Sequence, residues 1–117
     1  MVIKLKRVYE SPEPGDGFRL LVERLWPRGM SKDRAKVDLW LKEAGASTVL
    51  RTWYGHDPEK WEEFRRKYFV EMRTRPEIIK ELRDILRTHD MVTFLFAAHD
   101  TERNNALALK EFLEQLQ

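Results

Sequence analysis

No cysteine occurs among the 117 residues, which removes disulfide frameworks, thiolate zinc sites and cysteine nucleophiles from consideration. With five glycines in all, there is no glycine-rich loop to cradle a nucleotide phosphate. Neither sign of charge dominates. Lys and Arg number 22 against 20 Asp and Glu, leaving +2, a balance too even to point to a polyanion and one that argues against a nucleic-acid partner. No apolar run approaches the roughly 20 residues that a membrane helix needs. The three histidines, His56, His89 and His99, stand outside any HxxxH-type spacing, so neither a metal nor another cofactor is expected. The opening MVIKLKRVY alternates and carries charge. It reads as a strand rather than a signal peptide, and a cytoplasmic protein with no membrane partner is expected.

What is present suits one globular unit. Hydrophobic residues make up 42%, enough for a single core, and a chain of this size buries roughly two-thirds of its unfolded surface without a staple. We therefore expect one domain spanning residues 1–117. Charged residues reach 36%. Many fall at helix-surface pairing distance, such as Glu62 with Arg66 and Glu63 with Lys67. Abundant Glu, Arg and Lys with few Asn or Gln lean toward a heat-adapted source.

Along the chain, Val2–Val8 alternates Ile3 and Leu5 with Lys4 and Lys6, the pattern of a strand with one wet face. Ser11–Gly17 is a turn-rich loop. Phe18–Leu25 reads as a second strand, halted at Trp26-Pro27-Arg28-Gly29 because proline lacks an N–H donor and glycine admits positive φ. Ser31 and Ser47 are N-cap residues, while Val37–Ala44 fits a helix or a strand equally well. Gly55 closes one helix, and Asp57-Pro58 opens the next. That helix buries Trp61, Phe64, Tyr68 and Met72. Another restarts at Arg75-Pro76, with Ile78, Ile79, Leu82, Ile85 and Leu86 inward. Val92–Ala98 is apolar on both faces, as a covered central strand is. The last helix is expected to start near Asp100 or Thr101, burying Leu109, Phe112, Leu113 and Leu116. The fold class is α/β: a small, largely parallel sheet of about three or more strands covered by about four to five helices, with the second and third predicted strands adjacent and parallel.

Ligands of open α/β sheets bind outside the carboxyl ends of the parallel strands. Those ends are Arg24–Gly29 and Ala98–Asn105. In the first, Arg24 and Arg28 can clamp a carboxylate or phosphate, Trp26 offers a stacking face and Gly29 a tight turn. The competing reading makes Trp26 core and pairs the arginines with Asp38 or Glu43. In the second, Asp100 and Thr101 open a helix whose free N–H groups favour an anion. Asn104 and Asn105 offer amides there, and His99 is a candidate acid or base. Asp100 equally suits a plain cap. His56, in Gly-His-Asp-Pro, is the other imidazole able to move protons. Trp61, Phe64 and Tyr68 belong to a core stripe. Ser11, Ser31 and Ser47 look like turn or cap residues, so no complete catalytic triad is present.

The runs GFRLLVERLWPRGMSKDRAKVDLWLKEAGAS, LRTWYGHDPEKWEEFRRKY and LFAAHDTERNNALALKEFL together resemble the YeaO-like branch of the domain-of-unknown-function family 488, over nearly the whole chain. The resemblance implies an α/β fold in a broadly prokaryotic family and supplies no reaction. Relatives often carry aspartate where this chain has Glu23, and lysine where it has His99. Longer members carry cysteines near the last strand, so their thiol chemistry does not transfer. Winged-helix labels attached to some relatives find no helix-turn-helix with a β-ribbon here. Three functions stay open: an enzyme using His99 or His56 on a small anion, a binding module for an anionic ligand or nucleic-acid end, and a protein-interaction domain of unknown oligomeric state.

Overall fold

The computed structural model describes residues 2–116. Strands β1 (Val2–Arg7), β2 (Phe18–Leu21), β3 (Leu39–Trp40) and β4 (Met91–Phe96) form one sheet in the order β1-β4-β2-β3. Every pairing is parallel, with Leu5 opposite Phe94, Leu20 opposite Phe94, and Leu20 opposite Leu39. The helices are α1 (Lys32–Ala35), α2 (Thr48–Tyr54), α3 (Trp61–Arg73), α4 (Pro76–Thr88) and α5 (Asn105–Gln115). This is the small parallel α/β architecture that the sequence pattern predicts.

β4 sits between β1 and β2, and Val92–Phe96 is wholly buried. Its apolar run has two destinations, because alternate side chains leave opposite faces of a strand. Val92, Phe94 and Phe96 join Leu20 and Val22 under the helices, against Phe64, Tyr68, Leu82 and Leu109. Leu95 turns the other way, into a smaller cluster with Val8, Leu21, Met30 and Ala35.

The segment from Trp26 to Trp40 builds most of that second cluster, and the rest of the same face is covered because β1 and β2 flank β4 and run parallel to it. The chain must travel from the carboxyl end of β1 back to the amino end of β2. Residues 8–17 make this return across the face opposite α2, α3, α4 and α5. They cover the side of β1 that its basic residues led us to expect in water, and Lys6 is only 4% exposed. Asp16 lies at the centre of the covered patch. It takes hydrogen bonds from Lys4 Nζ at 2.9 Å, Lys6 Nζ at 3.0 Å and Arg19 Nη1 at 2.5 Å. The Glu13 N–H reaches it at 3.0 Å, and its backbone carbonyl accepts from Thr93 Oγ1 at 2.6 Å. Burial alone pushes the Asp16 carboxyl up, but those donors outweigh it and hold the group well below the usual carboxylate range. Gly17 closes the return at φ +64, where a Cβ would lie 2.3 Å from the Met91 carbonyl oxygen. No other residue fits there.

Local signals place most helix ends. Ser31 and Ser47 accept from the N–H groups of Arg34 and Leu50, Gly55 is left-handed at the end of α2, and Asp57 accepts from Glu59 N–H. The ambiguous Val37–Ala44 divides into the two-residue β3 and a 3₁₀ turn at Lys42–Ala44. The last helix starts later than its sequence suggests. Asn104, not Asp100, is the N-cap, accepting from Leu107 N–H at 2.8 Å. Asp100 instead closes a preceding turn by accepting from the N–H groups of Glu102 and Arg103. Both residue types cap well, and the choice is made by Asn105, which braces the start of α5 by accepting from Ala46 N–H at 2.8 Å. Leu116, expected inward, is 37% exposed at the helix end.

Candidate functional site

β2 and β4 end side by side, and the segments leaving them open a cleft of about 550 Å³. Its floor comes from Glu23 and from Ala97 and Ala98; one wall is Leu25–Arg28, another is Arg51, Thr52, Tyr54 and His56 around α2, and the far rim is Arg103–Asn105. The Leu25–Arg28 wall and the turn that follows it are held in three ways. Trp26 Nε1 donates to the Met30 carbonyl at 2.6 Å, Tyr9 Oη donates to the Arg28 carbonyl at 2.9 Å, and Gly29 takes φ +75. Trp26 also meets Trp40 edge-on at 5.4 Å. Arg7 fixes the end of the central strand by donating to the carbonyls of Ala98 and Ala97 at 2.8 and 3.2 Å.

The carboxyl of Glu23 ties the two strand ends together. Its Oε1 accepts from Ala97 N–H at 2.9 Å, satisfying the first backbone donor beyond β4. Burial raises the Glu23 pKa, against the opposing pull of that N–H and of the Arg51 charge. Arg51 lies in the same cleft, half-buried, yet no ion pair joins it to an acid among the described residues. Arg28 is likewise free, whereas Arg103 is paired with Asp100 at 3.2 Å. Tyr54 is buried against Phe64 with ring centroids 4.6 Å apart, and burial raises its hydroxyl pKa as well.

Of the residues singled out in the sequence, Trp26, Arg28, His56, Asn104 and Asn105 meet in this cleft. His56 is exposed at its edge, 6.3 Å from the Tyr54 ring and in the left-handed region at φ +57, directly after the left-handed Gly55. The two asparagines are engaged internally. Asn104 caps α5 and donates to the Asp100 carbonyl at 3.1 Å, while Asn105 accepts from Ala46 and lies 3.4 Å from the Val22 carbonyl. Gly29, His99, Asp100 and Thr101 lie outside the cleft lining, and His99 and Thr101 face solvent. Arg24 turns away, donating to the Gly45 carbonyl at 2.9 Å, with its Nε buried and unpartnered. Its backbone packs so closely there that a Cβ on Gly45 would come within 2.5 Å of Arg24 N.

Among the cleft residues that sequence reasoning missed, Glu23 and Arg51 carry the charge that matters. Glu23 carried one available signal, a charge on the strand face opposite Phe18, Leu20 and Val22, right at the rim. Arg51 carried none, because one arginine on a seven-residue helix is unremarkable until the fold turns it inward. Among the described residues no group of three or more His, Asp or Glu side chains is placed to hold a metal ion, and no helix is long and apolar enough to cross a membrane.

A family model described as "Inactive DUF488-N3 subclade" matches residues 2–117. The chain belongs to this subclade. It is 39% identical to the Escherichia coli protein YeaO over 116 residues, covering 99% of this chain and all of YeaO. It is 38% identical over 111 residues to proteins of Mycobacterium tuberculosis and Mycobacterium bovis, covering 95% of this chain and 92% of each. All three relatives are described as uncharacterised. No solved structure matches.

Proposed function

We propose that the cleft at the carboxyl ends of β2 and β4 binds a small organic anion and holds it without turnover, in the cytoplasm. One observation carries the reading: Arg28 and Arg51 line the same cleft with no acid of the described chain paired to either. Arg51 is half-buried and Arg28 exposed; a half-buried guanidinium that makes no ion pair keeps donors for an anionic ligand, with Arg28 at the rim to assist. Aromatic faces from Trp26 and Tyr54 and a volume of about 550 Å³ suit a metabolite-sized molecule. The cleft lining holds no serine or cysteine, and the subclade is described as inactive, which favours binding over catalysis. The raised Glu23 pKa favours the competing enzymatic reading, with Glu23 or His56 as the proton-transfer group.

The test is thermal denaturation against a panel of phosphates and carboxylates, with wild type beside Arg51→Ala and Arg28→Ala. A ligand present at 100 times its Kd adds about 2.7 kcal/mol of stability. Wild type should gain that stabilisation and Arg51→Ala should lose most of it. Equal responses in wild type and both variants would overturn the site. Product appearing from the bound ligand would move the protein to the enzymatic reading.

A further inference from the structure

We infer that Glu23 is a specificity-determining residue, reading hydroxyl groups on the ligand, so that the cleft takes a sugar phosphate rather than a simple anion. The inference rests on the anion-binding reading above and goes beyond it by naming the ligand's other half.

Satisfying the Ala97 N–H requires only a neutral acceptor, such as a glutamine side-chain oxygen. A carboxylate in that place is expensive to bury, and it stands in a cleft whose other charges are arginines meant for an anion. Placed there, Glu23 would repel any ligand that presented only negative charge. Its Oε1 is occupied by Ala97 N–H at 2.9 Å, while no hydrogen bond from another described residue occupies Oε2. A free carboxylate oxygen at a cleft floor accepts from a ligand donor. That donor is a hydroxyl rather than an ammonium, because Arg28 and Arg51, which make no ion pair among the described residues, outnumber Glu23 in the cleft and would repel a second cation. Hydroxyls carry no such penalty, and a charged acceptor makes the stronger class of hydrogen bond to them. The phosphate then falls to Arg51 and Arg28, the hydroxyls to Glu23, and the ring lies against the Trp26 and Tyr54 faces. A site built around such an acceptor discriminates strongly against an analogue lacking the hydroxyl, since the acceptor is then left desolvated and unpaired.

The experiment is calorimetric titration of the full chain with ribose 5-phosphate, butyl phosphate and phosphoethanolamine. Wild type is expected to bind ribose 5-phosphate at least about tenfold tighter than either of the others, the size of one charged hydrogen bond. Glu23→Ala should bring the ratio to ribose-free butyl phosphate near one while leaving butyl phosphate affinity equal or higher. Arg51→Ala should weaken all three. If Glu23→Ala does not fold, Glu23→Gln, which keeps an acceptor for Ala97, should lower the preference without weakening butyl phosphate. An unchanged ratio in the Glu23 variants, or a wild type that prefers butyl phosphate or phosphoethanolamine, overturns the inference while anion binding stands. A wild type that binds no phosphate at all overturns the anion reading first, and this inference with it.

Discussion

Two polar clusters lie on the same sheet, and they differ in whether their charges are satisfied. Under the β1–β2 return, Asp16 meets Lys4, Lys6 and Arg19, and Glu13 takes a further hydrogen bond from Lys6 at 2.7 Å. Nothing there is left over for a ligand. In the cleft at the strand ends, Glu23 uses one carboxylate oxygen on backbone, and Arg28 and Arg51 make no ion pair among the described residues. A closed network holds the fold together, because removing one member leaves a buried charge exposed to nothing. An open one has unused hydrogen-bonding capacity, and function is the usual reason such capacity persists in a folded protein.

The comparison is broken or sharpened by mutation, and the largest effect belongs to the closed cluster. Asp16→Ala strands Lys6 and Arg19 under the return and should cost about 3 kcal/mol in urea unfolding. Ligand affinity in the cleft should not follow. The Asp16 pKa is depressed in the folded state, so its stabilisation is complete above the ordinary carboxylate range. It should disappear as the pH falls below that range toward the folded value. A loss smaller than about 1 kcal/mol would show that the cluster is less essential than its closure implies.

Next in size is Asn105→Ala. This residue lines the cleft yet serves the fold, so the loss of its bond to Ala46 N–H should cost about 1–2 kcal/mol, read by the same unfolding curves. A variant as stable as wild type but poorer in ligand binding would transfer Asn105 to the functional side.

The smallest effect is Glu23→Gln. The Glu23 pKa is raised on folding, so the native state holds this proton more tightly than the unfolded chain does. That contribution is full below the ordinary glutamate value and fades as the pH rises through the folded one, opposite in sign to Asp16. Glu23→Gln should flatten this part of the stability–pH curve and leave neutral-pH stability equal or higher by less than about 1 kcal/mol. A variant clearly less stable at neutral pH would mean that the carboxylate is needed for the fold.

Much of the fold is legible along the chain because it rests on short-range physics. Ser47 caps α2 with an oxygen three residues from the N–H it receives, Gly55 ends that helix by being left-handed, and Val92–Phe96 announces a covered strand by having no polar side but Thr93. The site was legible only as a rim. Arg24 and Arg28 are equivalent by sequence, four residues apart in one motif. The structure sends Arg24 to the Gly45 carbonyl and leaves Arg28 in the cleft.

The sequence by itself determined the ends of α2, the central strand and the rim at which the strands stop, since caps, turns and periodicity act over a few residues. Only the tertiary structure decided that Lys6 is buried, that α5 waits until Asn105, and that Glu23 and Arg51 share a cleft. Each of those depends on what arrives from elsewhere in the chain: the return loop over β1, Ala46 against Asn105, and α2 beside the end of β4. Whether a charge is paired is a property of convergence in space, and residue spacing does not encode it.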